Sequence, residues 1–157
     1  MGRYTEVFGR SVTDPDGFWA EAAGAIDWYR PPSVVLDTSR VPFYRWFPDG
    51  LLNTCYNALD RHVIAGRAGQ PALVYDSPVT GQKRTYTHSQ LTHEVATLAH
   101  VLRERGVATG DRVIIYMPMI PEVVVAMLAV ARLGAIHSVV FGGFAANQLA
   151  ARIDDAR

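Results

Sequence analysis

The sequence predicts an α/β fold: an irregular helical leader, then the start of a parallel β-sheet flanked by helices. Two observations carry this. Beyond residue 66, short apolar runs and helix-like segments follow in the order strand, helix, strand, helix, strand, helix. That order points to a parallel sheet with right-handed crossovers. The first 60 residues lack this alternation and instead hold all three tryptophans and several prolines. The division expected is therefore a leader over 1–65 and a second region over 66–157.

Composition narrows the function. Hydrophobic residues make up 49% and charged residues 19%, as in soluble globular proteins. Fifteen basic residues balance fifteen acidic ones. Zero net charge gives no electrostatic case for nucleic acid or membrane binding. The apolar run Val123–Ala131 is far shorter than the ~20 residues that span a bilayer. No signal-peptide core opens the chain, so a cytoplasmic protein is expected. Cys55 is the single cysteine, which excludes an internal disulfide, and no residues have zinc-ligand spacing. A buried thiol is expected there, because no activating base for a nucleophile can be named.

In the leader, Asp14 is placed to cap a helix with Pro15 in its first position, and Phe18, Trp19 and Ala22 form its apolar stripe. Arg30-Pro31-Pro32 ends it, and Val34-Val35-Leu36 reads as extended. The aromatic run Phe43-Tyr44-Arg45-Trp46-Phe47 has no basic groove beside it, so base stacking is disfavoured and anchoring of the leader onto the following domain is expected. Tyr56, Leu59 and Val63 fit one helical face, capped by Asn53 or Thr54.

In the second region, Ala72–Tyr75 and Lys83–Thr87 read as strands, and the polar loop Asp76–Gln82 between them, with Pro78 and Gly81, has hairpin chemistry. Thr87 and Gln90 form a capping box. Leu91, Val95, Leu98 and Leu102 then recur at helical spacing until Gly106. His88, His93 and His100 lie on or near this helix, but their separations of five and seven do not match a helical metal pair, and they read as solvated. Arg112–Tyr116 is a strand, and Pro121 opens a helix that is apolar nearly all round and hence buried. Ile136–Phe141 is the next strand. The last helix spans Ala145–Ala156, with Leu149 and Ile153 inward and Asp154-Asp155 a solvated end.

The turn Phe141-Gly142-Gly143-Phe144 ends the strand over Ile136–Phe141. Strand ends of open α/β sheets are where ligands sit. Glycines admit a close approach, and the following helix offers free N–H groups suited to phosphate or a polar acyl chain. The turn lacks the third glycine of a dinucleotide fingerprint, and no G-K-S/T follows as in a P-loop. A packing turn and a ligand loop both remain open on these grounds.

Longer stretches carry a resemblance. Tyr116-Met117-Pro118-Met119-Ile120-Pro121-Glu122 and the segment from Ala126 to Phe144 resemble short-chain acyl-CoA synthetases of the AMP-forming, adenylate-forming superfamily. Asp14, Pro15, Phe18, Trp19 and Ile26-Asp27-Trp28 resemble that family's leader. Leu52–Val63 and Tyr75–Gly81 look more like the propionyl-CoA synthetase branch than the acetyl one.

The resemblance implies a ligase for a short-chain carboxylate, propionate rather than acetate. ATP, with Mg, would give an acyl-adenylate and pyrophosphate, and CoA would then displace AMP. It assigns CoA contact to Phe141, Gly142 and Gly143, and assigns no catalytic residue and no metal ligand here. The family's phosphate loop, acyl pocket and adenylation lysine are absent from these 157 residues. The chain is therefore expected to be the amino-terminal part of a longer enzyme, inactive alone and self-associating through an exposed sheet edge. Competing expectations are a non-catalytic binding module of the same fold and an oxidoreductase fragment, the latter disfavoured by the missing glycine.

Overall fold

The structure, a computed structural model, describes residues 2–156. It falls into two units that meet in sequence between Leu52 and Asn53. In the first, helix α1 (Arg3–Thr13) precedes α2 (Pro15–Ala23). Asp14 caps α2 as its sequence predicts, accepting from the Gly17 N–H at 3.0 Å, with Pro15 at the first helical position. Helix α1 was not anticipated, although Tyr4, Val7, Phe8 and Val12 have helical spacing. All four are exposed.

Two short strands, β1 (Leu36–Asp37) and β2 (Arg45–Trp46), pair antiparallel. Trp46 and Phe47 pack within this unit, Trp46 against Trp19 at 5.9 Å and Phe47 against Trp28 at 5.7 Å between ring centroids. Phe43 and Tyr44 are exposed. The aromatic run thus closes the leader on itself through Trp46 and Phe47.

Asp49 braces the same unit. Its carboxylate accepts from the Ser33 hydroxyl at 2.5 Å, the Ser33 N–H at 3.0 Å and the Val34 N–H at 3.4 Å. These bonds, the Ser33 hydroxyl foremost, hold its pKa below the ordinary value.

The second unit opens with a helical stretch that departs from the expected 3.6-residue period. Tyr56–Asp60 and Val63–Arg67 are π-helical, and Gly66 breaks the second segment at φ 77°. Asn53 is the cap, its Oδ1 accepting from the Tyr56 N–H at 3.0 Å. Cys55 and Leu59, four residues apart on one face, are fully inward, while Tyr56 and Val63 are only half-buried.

Strands β3 (Pro71–Asp76) and β4 (Lys83–Thr87) form an antiparallel hairpin. Thr87 and Gln90 make the predicted capping box at the start of α3 (His88–Glu104). Strand β5 (Arg112–Met117), helix α4 (Pro121–Arg132) and strand β6 (Ile136–Phe141) follow, then α5 (Ala146–Asp155). The fold class is α/β, with one change from expectation. Strand β4 pairs only with β3, so the parallel sheet consists of β5 and β6, in register from Arg112↔Ile136 to Met117↔Phe141.

The core joins these pieces. Cys55, Leu59, Tyr86, Leu91, Val95, Ala99, Val125 and Ala129 form one buried cluster. Helix α4 buries Val123, Val125, Ala129 and Val130 and exposes Glu122, as its apolar sequence predicts. At its C-terminal end Arg132 makes a bidentate pair with Asp60, at 2.7 and 2.8 Å. Asn53 Nδ2 donates to the Ala131 and Arg132 carbonyls at 3.2 and 3.1 Å, satisfying groups the helix leaves free. The expected inward face of α5 holds only in part, since Leu149 is half-buried but Ile153 is 48% exposed.

Two outcomes should follow. Asp60→Ala strands the Arg132 guanidinium, which is 30% exposed, and should cost about 1–3 kcal/mol, below the range for a fully buried pair. Urea unfolding of the variant measures this. Separately, a carboxylate with a depressed folded pKa contributes stability above its ordinary pKa and loses it as pH falls through the folded value. Because Trp19, Trp28 and Trp46 all lie in the first unit, tryptophan fluorescence should report loosening there as pH drops below about 4. A flat signal down to pH 2 would remove Asp49 as the cause.

Candidate functional site

Strands β5 and β6 run side by side and end together, Met117 opposite Phe141. Each then turns sharply, β5 into Pro118–Ile120 and β6 into Gly142-Gly143-Phe144. The hairpin loop after β3 brings Tyr75, Ser77, Val79 and Thr80 to the same region. Between them lies a mostly apolar cleft of about 560 Å³, lined also by Pro118, Met119, Ile120, Phe141, Gly142 and Gly143. The position matches the strand-end location that α/β sheets use for ligands.

The loop wall is held locally. The Ser77 N–H donates to the Gln82 carbonyl at 3.0 Å, and the Gly81 N–H to the Ser77 carbonyl at 2.9 Å. Lys83 pairs with Asp76 at 2.7 Å across the base. The opposite wall presents the Phe141 ring, 60% exposed, and Met119, 75% exposed. Large apolar side chains left this open around one cleft can cover a bound apolar or planar group.

The two glycines serve close packing within the chain, and neither needs a left-handed backbone. A Cβ on Gly142 would lie 3.0 Å from the Pro118 nitrogen and 3.1 Å from the Met117 carbonyl carbon. A Cβ on Gly143 would meet the Phe141 ring at 2.7 Å. The Phe144 N–H closes the turn onto the Phe141 carbonyl at 3.0 Å, and the two rings meet edge to face at 5.9 Å. Tyr116 donates its hydroxyl to the Phe144 carbonyl at 2.6 Å. Ala145, ahead of α5, caps the helix with no side-chain bond.

The structure therefore brings Phe141, Gly142 and Gly143 together on one wall. It adds Met119 and the hairpin loop to the cleft, and ties the turn to Tyr116 behind it, connections that sequence patterns did not make. Tyr116 reads as an ordinary strand position, and the loop lies some sixty residues earlier in the chain.

The other candidates do not converge here. Cys55 is 0% exposed, and burial pushes its thiol pKa up despite Arg132 Nη1 at 3.5 Å. His93 and His100 are exposed as expected, but His88 is half-buried, its ring 4.8 Å from that of His62. Helix α3 starts at His88 and turns the ring back over the π-helical stretch, which explains the departure. Asp154 and Asp155 are exposed. Among the described residues no group of three or more His, Cys, Asp or Glu side chains could hold a metal ion. Nor is any helix long and apolar enough to cross a membrane.

Residues 60–157, most of the chain and all of this cleft, match the family described as AMP-binding enzyme. The chain belongs to that family. Residues 4–58 match a second description, acetyl-coenzyme A synthetase N-terminus. Family relatives include propionate–CoA ligase of Salmonella typhimurium, 52% identical, with 98% of this chain and 24% of the relative covered. The mitochondrial acyl-CoA synthetase short-chain family member 3 of Bos taurus is 51% identical, with 99% and 23% covered. Among solved structures, acetoacetyl-CoA synthetase from Streptomyces lividans aligns with a TM-score of 0.85 at 33% identity, over 99% of this chain and 24% of its own. The chain thus spans about a quarter of the length of the curated relatives it matches.

Gly142→Ala should destabilise by about 1–3 kcal/mol, because backbone rather than a side-chain tip must move. Gly143→Ala should cost less, since the Phe141 ring can swing away. Paired denaturant titrations of the two variants test the ordering; equal costs would mean the Met117–Pro118 backbone yields readily.

Proposed function

We propose that this chain forms the amino-terminal part of an AMP-forming short-chain acyl-CoA synthetase, with propionate favoured over acetate. Residues 1–65 are its leader, and 66–157 begin its adenylate-forming domain. In the first half-reaction a carboxylate oxygen attacks the α-phosphorus of ATP, with Mg present, and pyrophosphate leaves. In the second the CoA sulfur attacks the acyl carbon of the adenylate, and AMP leaves with the electron pair of the broken C–O bond. The chain's own part is to supply one wall for CoA.

One observation carries this role. The Phe141 ring stands 60% exposed beside two glycines, at the joint end of two parallel strands and over an open cleft of about 560 Å³. An apolar chain or planar ring can lie on Phe141, and the low relief at Gly142 and Gly143 lets it approach the backbone. Ser77 and Thr80 on the facing loop supply hydroxyls for polar edges. The propionate preference draws support from the likeness to the Salmonella typhimurium propionate–CoA ligase. No catalytic residue is assigned to the chain, and the 157 residues alone are expected to be inactive.

The longer protein carrying this chain should release AMP and pyrophosphate in a propionate-dependent way when given ATP and CoA. Coupled assays of both products, run with propionate and acetate in parallel, test this. A clearly better kcat/KM for acetate would overturn the branch, and absence of either product with every short carboxylate would overturn the reading.

A further inference from the structure

Phe141 carries the ligand role proposed above, yet little fixes it. Its ring is largely exposed, and among the described residues the one aromatic ring packed against it is that of Phe144. The orientation of Phe141 is therefore set within the turn, by the Gly143 backbone beneath the ring and by the Phe144 ring beside it. The backbone of Phe144 is held at two points. Its N–H reaches back to the Phe141 carbonyl, which closes the turn but moves with it. Its carbonyl accepts the Tyr116 hydroxyl at 2.6 Å, which ties the turn to the neighbouring strand. Helix α5 adds no side-chain cap at its start to replace that tie.

We propose that Tyr116 is a positioning residue for CoA: its hydroxyl fixes Phe144, and through Phe144 the Phe141 ring, so that the wall of the cleft is set before the ligand arrives. This rests on the reading of the cleft as a CoA site. Tyr116 does not itself line that cleft. Its ring is 42% exposed, so it contributes little to the core, and β5 is held to β6 by backbone hydrogen bonds that a phenylalanine would keep. The hydroxyl can thus be removed with the fold intact. Without it, free CoA must order the turn on binding, which weakens binding without touching the adenylation chemistry.

The test is Tyr116→Phe in the full-length protein. KM for CoA should rise roughly two- to tenfold, the scale of one neutral hydrogen bond. KM for the carboxylate and for ATP, ATP–pyrophosphate exchange and the melting temperature should stay at their original values. Hydrogen exchange at the Phe144 amide should quicken. An unchanged KM for CoA would overturn the proposal. So would a parallel loss in both half-reactions with a lower melting temperature, which is what a merely structural role gives. Phe141→Ala separates the two levels. If it leaves the CoA step intact, the CoA reading of the cleft fails and this proposal with it. If it weakens the CoA step while Tyr116→Phe does not, the positioning role alone fails.

Discussion

The bidentate contact between Arg132 and Asp60 sits where the second unit is joined together. Arg132 ends α4, the helix that carries the chain from β5 to β6. Asp60 lies in the π-helical stretch that begins this unit, and Asn53 from the same stretch covers the last carbonyls of α4. The hydrogen bonds to Asp60 raise the Arg132 guanidinium pKa above its ordinary value. With α4 fixed at its end, β6 leaves it in register with β5, and both strands finish at the same level. The cleft exists because they do.

Within that frame the strand-end turn is set by contacts on three sides. Gly142 touches backbone of the adjacent strand, Gly143 lies under a ring, and the Phe144 carbonyl is bound by Tyr116. The hairpin loop opposite is closed by its own hydrogen bonds. Each wall is thus held by its own hydrogen bonds, independently of the open space between them.

Much of this was legible in the sequence because the signals are local. Asp14 with Pro15, Thr87 with Gln90 and Pro121 each specify a helix start within three or four residues, and each is found where predicted. The apolar composition of α4 gave its burial in the same way. What failed was non-local or depended on period. The stretch after Asn53 looks α-helical but contains two π-helical segments, and its buried face is Cys55 with Leu59 rather than Tyr56, Leu59 and Val63. The loop between Asp76 and Gln82 marks the hairpin of β3 and β4, but nothing local tells that β4 stays out of the parallel sheet of β5 and β6. Helix α1 follows Gly2 with no side-chain cap, so no local start signal marks it. Phe141, Gly142 and Gly143 could be singled out from sequence, but their dependence on Tyr116 and the facing loop requires three dimensions.

The close approach at Gly142 bears on how variation at this turn would be interpreted. A Cβ there crowds main-chain atoms of Met117 and Pro118 at 3.0 to 3.2 Å, whatever the cleft contains. Selection would keep glycine at that position even in a descendant that had lost its ligand. Glycine at position 142 therefore serves the fold whether or not a ligand approaches it. Phe141 is the reverse case: its ring is mostly in solvent and buries little for the fold. If that ring persists across diverged lineages, the cause lies in what it touches.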